Sequence, residues 1–347
     1  MMKRLIPLVL IICMMLTSCM ATGILPETTT EEATTEPVIY RNPLNGEIIS
    51  EPYSGRVFSV SINNVKPALP FKGINDADVF FEMFVNDYCT RGLALYTDIS
   101  DVAHVGSIRS TRYNFTDISL AYDTVMCFSG GSDSVIKDMK NSGIDYLFVD
   151  VPVGYRDTDR SAQGYAYEHT LFAVGENLKA AAEDAGFRLS VTDRNYGMSF
   201  ADEACPVNGT PASSIEIVFT INGVTKTTAM EYDALTDKYV FNQYGKEMSD
   251  IVTGTPAAFS NVIIMLAPTR NEDVYHIADL YSGGDGYFAC GGRLVPIRWS
   301  HTGETVPFTF TLTDGTPLVQ EAGNTYIAIA PTGSPVNIIS DGTPLAQ

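Results

Sequence analysis

The sequence has few basic residues for its length, and this shortage excludes several classes of partner. It contains 22 Lys and Arg against 41 Asp and Glu, so the formal net charge at pH 7 is −19. Nucleic acid and anionic lipid headgroups repel a chain this acidic, which excludes both as general partners. Any anionic ligand must therefore be held by a local group of basic side chains.

Metal-binding patterns are also lacking. The four histidines are scattered, and the four cysteines beyond residue 20 show no CxxC spacing, so neither a metal nor a cofactor is expected. Cys89 and Cys127 lie in apolar, strand-like stretches, which indicates small core residues. A disulfide can form outside the cytoplasm, but the spacing pairs no two cysteines.

No apolar run is long enough to span a bilayer, but a short one stands at the N-terminus. Lys3 and Arg4 precede the apolar stretch Leu5 to Leu16, and small residues then lead to Cys19. This order is similar to a bacterial lipobox, in which Cys19 becomes lipid-modified (diacylglycerol and palmitate). Residues 1–19 are thus expected to be a lipoprotein signal peptide, and the alternative is an ordinary signal with an incidental Cys.

A lipidated Cys19 would anchor the chain at the outer face of the cell membrane. Residues 20–40 are rich in Thr and Glu and have few apolar side chains, so they cannot offset their ordering entropy. We expect them to form a disordered tether between membrane and body.

Composition and pattern predict an α+β fold in two parts. Residues 42–200 mix apolar strand-like runs with short helical segments, one of them capped by Ser132 or Asp133 and ended by Gly143. Residues 210–331 alternate as short strands separated by turn pairs such as Asn222-Gly223. We therefore expect a mixed α/β N-terminal domain, a mostly antiparallel β C-terminal domain, and a tail at 332–347.

The motifs of the body resemble those of the YerB-like lipoproteins, a bacterial family with two domains of unknown function. They are Asn42-Pro43-Leu44-Asn45-Gly46, Gly106 to Arg112, Gly130-Gly131-Ser132, Tyr155 to Arg160, His169 to Phe172, Gly286-Tyr287-Phe288, Ile297-Arg298-Trp299 and Gly323 to Ile327. Two positions depart from the pattern, since Phe128 and Met248 stand where the family has histidine. The resemblance implies location and domain order but no reaction.

Five arginines of the first part form the candidate ligand-binding set. They are Arg91, Arg109, Arg112, Arg156 and Arg160. The planar guanidinium binds phosphate and carboxylate through paired donors, so arginines that share a pocket would hold an anion in an acidic protein. The alternative is that they only neutralise Asp78, Glu82, Asp157 and Asp159.

A shorter resemblance concerns the segment Arg109-Ser110-Thr111, which is similar to LytR-CpsA-Psr glycopolymer transferases but lacks their preceding Pro. It implies a lipid-linked phosphate or wall polymer as ligand. On this hypothesis Arg109, Arg112 and Arg156 would clamp phosphate, while Glu82 or Asp157 would hold a metal ion or act as base. His169, in the segment that resembles the YerB-like family, is the third candidate catalytic residue.

The sequence thus predicts a membrane-anchored lipoprotein that binds an anionic envelope ligand. The alternatives are an envelope enzyme acting on lipid-linked glycopolymer and a protein-binding regulator of envelope enzymes, with no protein partner specified.

Overall fold

A computed structural model describes residues 38–86, 89–191, 193–340 and 342–344. The predicted signal peptide, Cys19 and most of the tether lie outside these residues. In the described part, every helix is too short or too polar to cross a bilayer. Residues 39–347 form one compact unit.

Short helices lie mainly in the first half of the described chain. The α-helices are α1 (Tyr113–Ala121), α2 (Asp133–Ser142), α3 (Thr158–Ala162) and α4 (Gly175–Asp184). The 3-10 turns are Lys66–Ala68, Ile99–Asp101 and Tyr167–His169.

Strands occur throughout the described chain and dominate its second half. Up to residue 201 they are β1 (Tyr40–Arg41), β2 (Ile48–Ile49), β3 (Phe58–Asn63), β4 (Val79–Asn86), β5 (Cys89–Tyr96), β6 (Val105–Gly106), β7 (Val125–Phe128), β8 (Tyr146–Phe148), β9 (Gly154–Arg156), β10 (Leu171–Ala173) and β11 (Phe200–Ala201). Beyond it they are β12 (Thr210–Pro211), β13 (Ser214–Ile221), β14 (Val224–Asp233), β15 (Lys238–Gln243), β16 (Lys246–Glu247), β17 (Ser249–Asp250), β18 (Thr255–Pro256), β19 (Ala258–Phe259), β20 (Asn261–Ala267), β21 (Thr269–Glu272), β22 (Tyr275–Ala278), β23 (Gly284–Cys290), β24 (Arg293–Ser300), β25 (Thr309–Leu312), β26 (Gln320–Glu321), β27 (Thr325–Pro331), β28 (Val336–Ser340) and β29 (Thr343–Pro344).

One large mixed sheet runs through the body. Its main path has the order β12-β24-β23-β20-β27-β4-β5-β3-β7-β8. Strand β27, from the second half, pairs in parallel with β4, from the first. The two halves therefore share a sheet as well as a core.

Different layers cover the two faces of this sheet. On one face, Phe80 and Phe84 pack with Phe219 and Phe241 of a second sheet, built mainly from β13, β14, β15 and β28. On the other face, Phe81 and Met83 belong to the same apolar cluster as Phe115 of α1 and Met139 of α2. Since successive residues of a strand face opposite sides, strands buried on both faces become continuous apolar runs.

The local signals in the sequence correctly predicted several elements. Helix α2 begins after Ser132, whose side chain accepts a bond from the backbone N–H of Val135, and ends at Gly143 in the left-handed conformation. The pair Asn222-Gly223, with φ of 50° and 78°, joins β13 to β14. The predicted α+β class is confirmed, with a mixed first half and a mostly β second half.

The ends of the two predicted domains remain predictions. The segment 332–347 was expected only as a tail, yet within it β28 pairs with β13 and buries Val336 and Ile338. Burial of these apolar side chains makes β28 part of the core.

A disulfide joins Cys205 to Cys290, across a sequence separation of 85 residues. Cys89 and Cys127 are free and buried, as the apolar stretches around them indicated. The sequence spacing could not have selected the bonded pair.

Candidate functional site

The candidate site lies where three parallel strands end. Strands β3, β7 and β8 are parallel neighbours, so their carboxyl ends lie at one edge of the sheet. In open α/β sheets, the crevice beyond such ends is where ligands bind. Helix α2 begins at this edge, after the loop Gly130-Gly131-Ser132.

The arginine-bearing segment 107–112 crosses this edge in a fixed position. The backbone N–H of Arg109 donates to the carbonyl of Ser61 at the end of β3, and the N–H of Ser129 donates to the carbonyl of Arg109, both at 2.9 Å. The N–H of Thr111 donates to the carbonyl of Gly130 at 3.1 Å. The segment is therefore bonded to the ends of both β3 and β7.

Gly130 allows these two loops to approach each other. Its φ is +92°, and a Cβ placed there would lie 2.8 Å from Oγ of Ser110. A side chain is disfavoured by the backbone conformation and by the space available.

Three of the five predicted arginines gather at this edge. Arg91 is buried on β5, and its Nη1 donates to the carbonyl of Ser110 at 2.9 Å. Arg112 is half-buried and donates to its neighbour's carbonyl, that of Thr111, at 2.6 Å. With the half-buried Arg109, these residues form what we call the arginine cluster: Arg91, Arg109 and Arg112.

Among the described residues, no carboxylate neutralises the arginine cluster. Within the described residues, no carboxylate oxygen lies within 4 Å of its guanidinium nitrogens, and its three Nε atoms are buried without hydrogen-bond partners. Burial, with the nearby charges of Arg112 and Arg109, lowers the pKa of Arg91 to about 9. Burial also lowers the pKa of Arg112, and Arg109 adds to the effect.

Two further residues border the cluster. The guanidinium carbon of Arg112 lies 5.2 Å from the ring centroid of Tyr275, a cation–π contact with the second half of the chain. The exposed carboxylate of Glu168 has a lowered pKa, first because of its own backbone N–H and then because of His169 and Arg109. Glu168 is thus within electrostatic reach of Arg109 without forming an ion pair with it.

The structure places Arg156 and Arg160 in other contacts. Arg156 lies 3.7 Å from the carboxylate of Asp150 and 3.8 Å from the ring centroid of Tyr167. Arg160 is buried and donates to the carbonyls of Ala68 and Pro70. These bonds attach the segment that carries Arg156 and Arg160 to the segment that follows β3.

The predicted catalytic candidate Asp157 pairs with a lysine and caps a helix. It accepts a bond from Nζ of Lys72 at 2.8 Å and from the backbone N–H of Arg160 at 3.1 Å, which caps α3. Burial raises the pKa of Asp157, but these bonds and charges outweigh it and hold the pKa below its usual value. The carboxylate therefore stays ionised and paired.

His169, the second candidate, is buried near the cluster. Nδ2 of Asn63 donates to its Nδ1 at 2.9 Å. Burial lowers the pKa of His169, and Arg109 and Arg160 add to the effect, so the neutral ring is favoured.

Glu82, the third candidate, lies on the opposite face of the sheet from the arginine cluster. In the β4–β5 pair, Met83 stands opposite Arg91, and Glu82 opposite Gly92. Because adjacent strand residues point to opposite faces, Glu82 turns toward the second sheet.

Glu82 is fully buried and accepts hydrogen bonds from both halves of the chain. The donors are Asn64, Thr90, Lys226, Thr228 and Tyr326. Lys226 forms an ion pair with it, and burial lowers the pKa of Lys226 although Glu82 opposes this. No pattern in the sequence predicted that Lys226 would be the partner of Glu82.

The two residues that stand where the family has histidine, Phe128 and Met248, lie in the core. Phe128 is fully buried, with its ring centroid 5.8 Å from that of Tyr146 and 5.9 Å from that of Phe148. Met248 is buried in the cluster that contains the second sheet. Both positions therefore contribute packing in this chain.

Possible metal ligands and cavities lie elsewhere. Among the described residues, Cys205, Cys290 and Glu321 are close enough to share an ion, but the disulfide removes both thiolates. Five cavities of about 260–510 Å³ in the described part have linings that include none of the three cluster arginines. The arginine cluster is thus separate from these cavities.

Known proteins match this chain along most of its length. Residues 44–188 match the N-terminal domain, and residues 216–327 the C-terminal domain, of the family "Protein of unknown function (DUF3048)". The Bacillus subtilis (strain 168) protein described as "Putative lipoprotein YerB" is 27% identical over 283 residues, covering 80% of this chain and 81% of that protein.

A solved structure shows the same fold. The crystal structure of the YerB protein from Bacillus subtilis aligns with a TM-score of 0.72 at 24% identity, covering 84% of this chain and 96% of that one. Both domains of one family thus occur here in their expected order, on the fold described above. The chain belongs to the DUF3048 family of YerB-like proteins.

Proposed function

We propose that this chain is a membrane-anchored lipoprotein whose body binds an anionic, phosphate-bearing ligand of the cell envelope at the arginine cluster. The anchor is supported by the lipobox-like sequence before Cys19 and by the lipoprotein name of the YerB relative. The binding is supported by one observation above all: in an acidic protein, three adjoining guanidinium groups have no carboxylate partner among the residues that the structure describes.

The surroundings of the cluster suit an anion. Bringing like charges together is unfavourable unless a counter-charge is present, and a bound phosphate would supply it. Helix α2 starts at the same edge, and its first N–H groups and dipole favour negative charge. Phosphate would also give hydrogen-bond acceptors to the unpartnered Nε atoms.

The geometry favours binding over turnover. Asp157 is paired with Lys72, Nδ1 of His169 accepts from Asn63, and Glu82 is enclosed on the other face. Each of the three candidate catalytic residues is therefore engaged in a bond that stabilises the fold.

Calorimetry with inorganic pyrophosphate tests the binding. Residues 39–347 form one compact unit, so this body is the protein used in the titration. We expect Arg109→Ala to weaken pyrophosphate binding at least tenfold, because it removes a charge and a fork of donors. The control Arg298→Ala removes an exposed arginine paired with Asp285 and should leave the affinity unchanged. Equal affinities for all three proteins would refute the site.

The anchor is tested separately by labelling growing cells with radioactive palmitate. We expect label in the full-length chain and none in Cys19→Ala. Label that persists in the variant would refute lipidation at this residue.

A further inference from the structure

Three apolar side chains are exposed in segments that border the edge of the sheet where the arginine cluster lies. Phe148, Val151 and Tyr167 are 56%, 61% and 70% exposed. Single exposed apolar residues are ordinary on protein surfaces, but a group beside a binding site indicates contact with a partner. We call these three residues the apolar rim.

Two members of the apolar rim lie beside the ion pair of Arg156 and Asp150. The guanidinium of Arg156 lies 3.7 Å from Asp150 and 3.8 Å from the ring centroid of Tyr167. Val151 follows Asp150 directly, in the turn between β8 and β9. Arg156 thus contacts both Tyr167 and the residue that precedes Val151.

The rim is joined to the arginine cluster through the end of β7. The ring centroid of Phe148 lies 5.9 Å from that of Phe128, whose carbonyl accepts a bond from Val149 at 2.8 Å. The next residue, Ser129, donates to the carbonyl of Arg109 at 2.9 Å. On the other side, Glu168 follows Tyr167 and is within electrostatic reach of Arg109.

We propose that the ligand is an amphiphile in which a phosphate group carries an aliphatic chain. The phosphate binds the arginine cluster, and the chain lies along Phe148, Val151 and Tyr167. This inference rests on the proposed function and selects a lipid-like phosphate over a wall polymer, which would offer polar groups to an apolar surface.

The size of the rim supports an aliphatic chain rather than a protein as its occupant. A stable protein interface buries roughly 1,200–2,000 Å² in total, far more than three side chains provide. A small set of exposed apolar side chains near a cationic cluster instead matches a molecule with one charged end and one apolar tail. The small apolar area and the nearby positive charge therefore both favour an amphiphilic phosphate as the ligand.

Two phosphate monoesters of equal charge, methyl phosphate and octyl phosphate, test this proposal with residues 39–347 at pH 7.5. We expect octyl phosphate, used below its micelle concentration, to bind at least about 30-fold more tightly, because it buries methylene groups. Tyr167→Ser and Val151→Ser should each reduce this advantage at least threefold without changing the affinity for methyl phosphate.

Leu235→Ser is the matched control, since Leu235 is exposed in the turn between β14 and β15 and should affect neither ester. Equal binding of the two esters, or an octyl advantage unchanged in both rim variants, would overturn the amphiphile while leaving the proposed function in place. Absence of binding by pyrophosphate and both esters would instead remove the proposed function itself.

Discussion

At the scale of single residues, the arginine cluster is defined by what its members do not contact. Most charged side chains that leave water are paired, because burial of a lone charge is costly. Arg56, for example, contacts both Asp123 and Asp145. Arg91 is equally buried, but the charges of Arg109 and Arg112 act on it and no carboxylate among the described residues pairs with it.

This environment makes anion binding depend on pH. Burial and the charges of Arg112 and Arg109 lower the pKa of Arg91 to about 9, so the charged fraction of its side chain decreases as the pH rises from 8 to 10. We expect the affinity for sulfate, whose charge is constant in this range, to fall several-fold between pH 8 and pH 10. Calorimetric titration at each pH measures the change.

The variant Arg91→Gln provides the comparison. It should bind sulfate more weakly at pH 8 and show a flatter profile between pH 8 and pH 10. A wild-type profile that is already flat would contradict a role for the Arg91 charge.

At the scale of elements, the site depends on how two loops fit together. The segment 107–112 and the loop before α2 are joined by backbone hydrogen bonds, and Gly130 keeps them in contact. The loops therefore position the arginines through main-chain bonds and a close approach.

Two glycines with positive φ allow the effect of backbone strain to be measured separately from the effect of the close approach between the loops. Gly130 has a φ of +92° and Ser110 close by, whereas Gly143 has a φ of +75° and open space around its Cβ position. We expect Gly143→Ala to cost about 1 kcal/mol of unfolding free energy, since only the backbone is strained.

Gly130→Ala should reduce the free energy of unfolding by about 2–3 kcal/mol, because the two loops must separate to make room for the methyl group. The same separation should weaken pyrophosphate binding. Urea unfolding and calorimetry measure the two effects. Equal stability losses in both variants, with binding intact, would show that the close approach is unimportant.

At the scale of the whole molecule, the two family domains are joined by a buried polar network. Glu82 on β4 accepts bonds from Lys226 and Thr228 on β14 and from Tyr326 on β27. Removing one member of such a buried pair leaves the other charge uncompensated.

We expect Lys226→Met to reduce the unfolding free energy by about 3–5 kcal/mol in urea denaturation. Adding Glu82→Gln should restore part of the loss, since the unpaired charge disappears. Lys246→Met, at an exposed position of β16, is the control and should change stability little. Additive losses in the double variant would argue against the pair.

The disulfide between Cys205 and Cys290 is a second long-range connection. Its 85-residue separation predicts a stabilisation of about 4.6 kcal/mol from chain entropy. The double variant Cys205→Ser, Cys290→Ser should unfold at lower urea concentration, and a reducing agent should destabilise the wild type but leave this variant unchanged. A reducing agent that has no effect on the wild type would contradict this prediction.

The sequence alone determined the features that depend on near neighbours. The Ser132 cap, the Gly143 end of α2 and the Asn222-Gly223 turn act within a few residues, so their chemistry predicted the structure correctly. The scarcity of basic residues likewise identified the arginines as the residues to follow.

Only the tertiary structure decided which distant residues meet. The register of β4 against β5 puts Glu82 and Arg91 on opposite faces, and a shift by one residue would reverse this. The partner of Glu82, 144 residues away, and the cysteine pairing also depend on how strands associate. Such pairings result from packing over the whole sheet, and no local pattern encodes them.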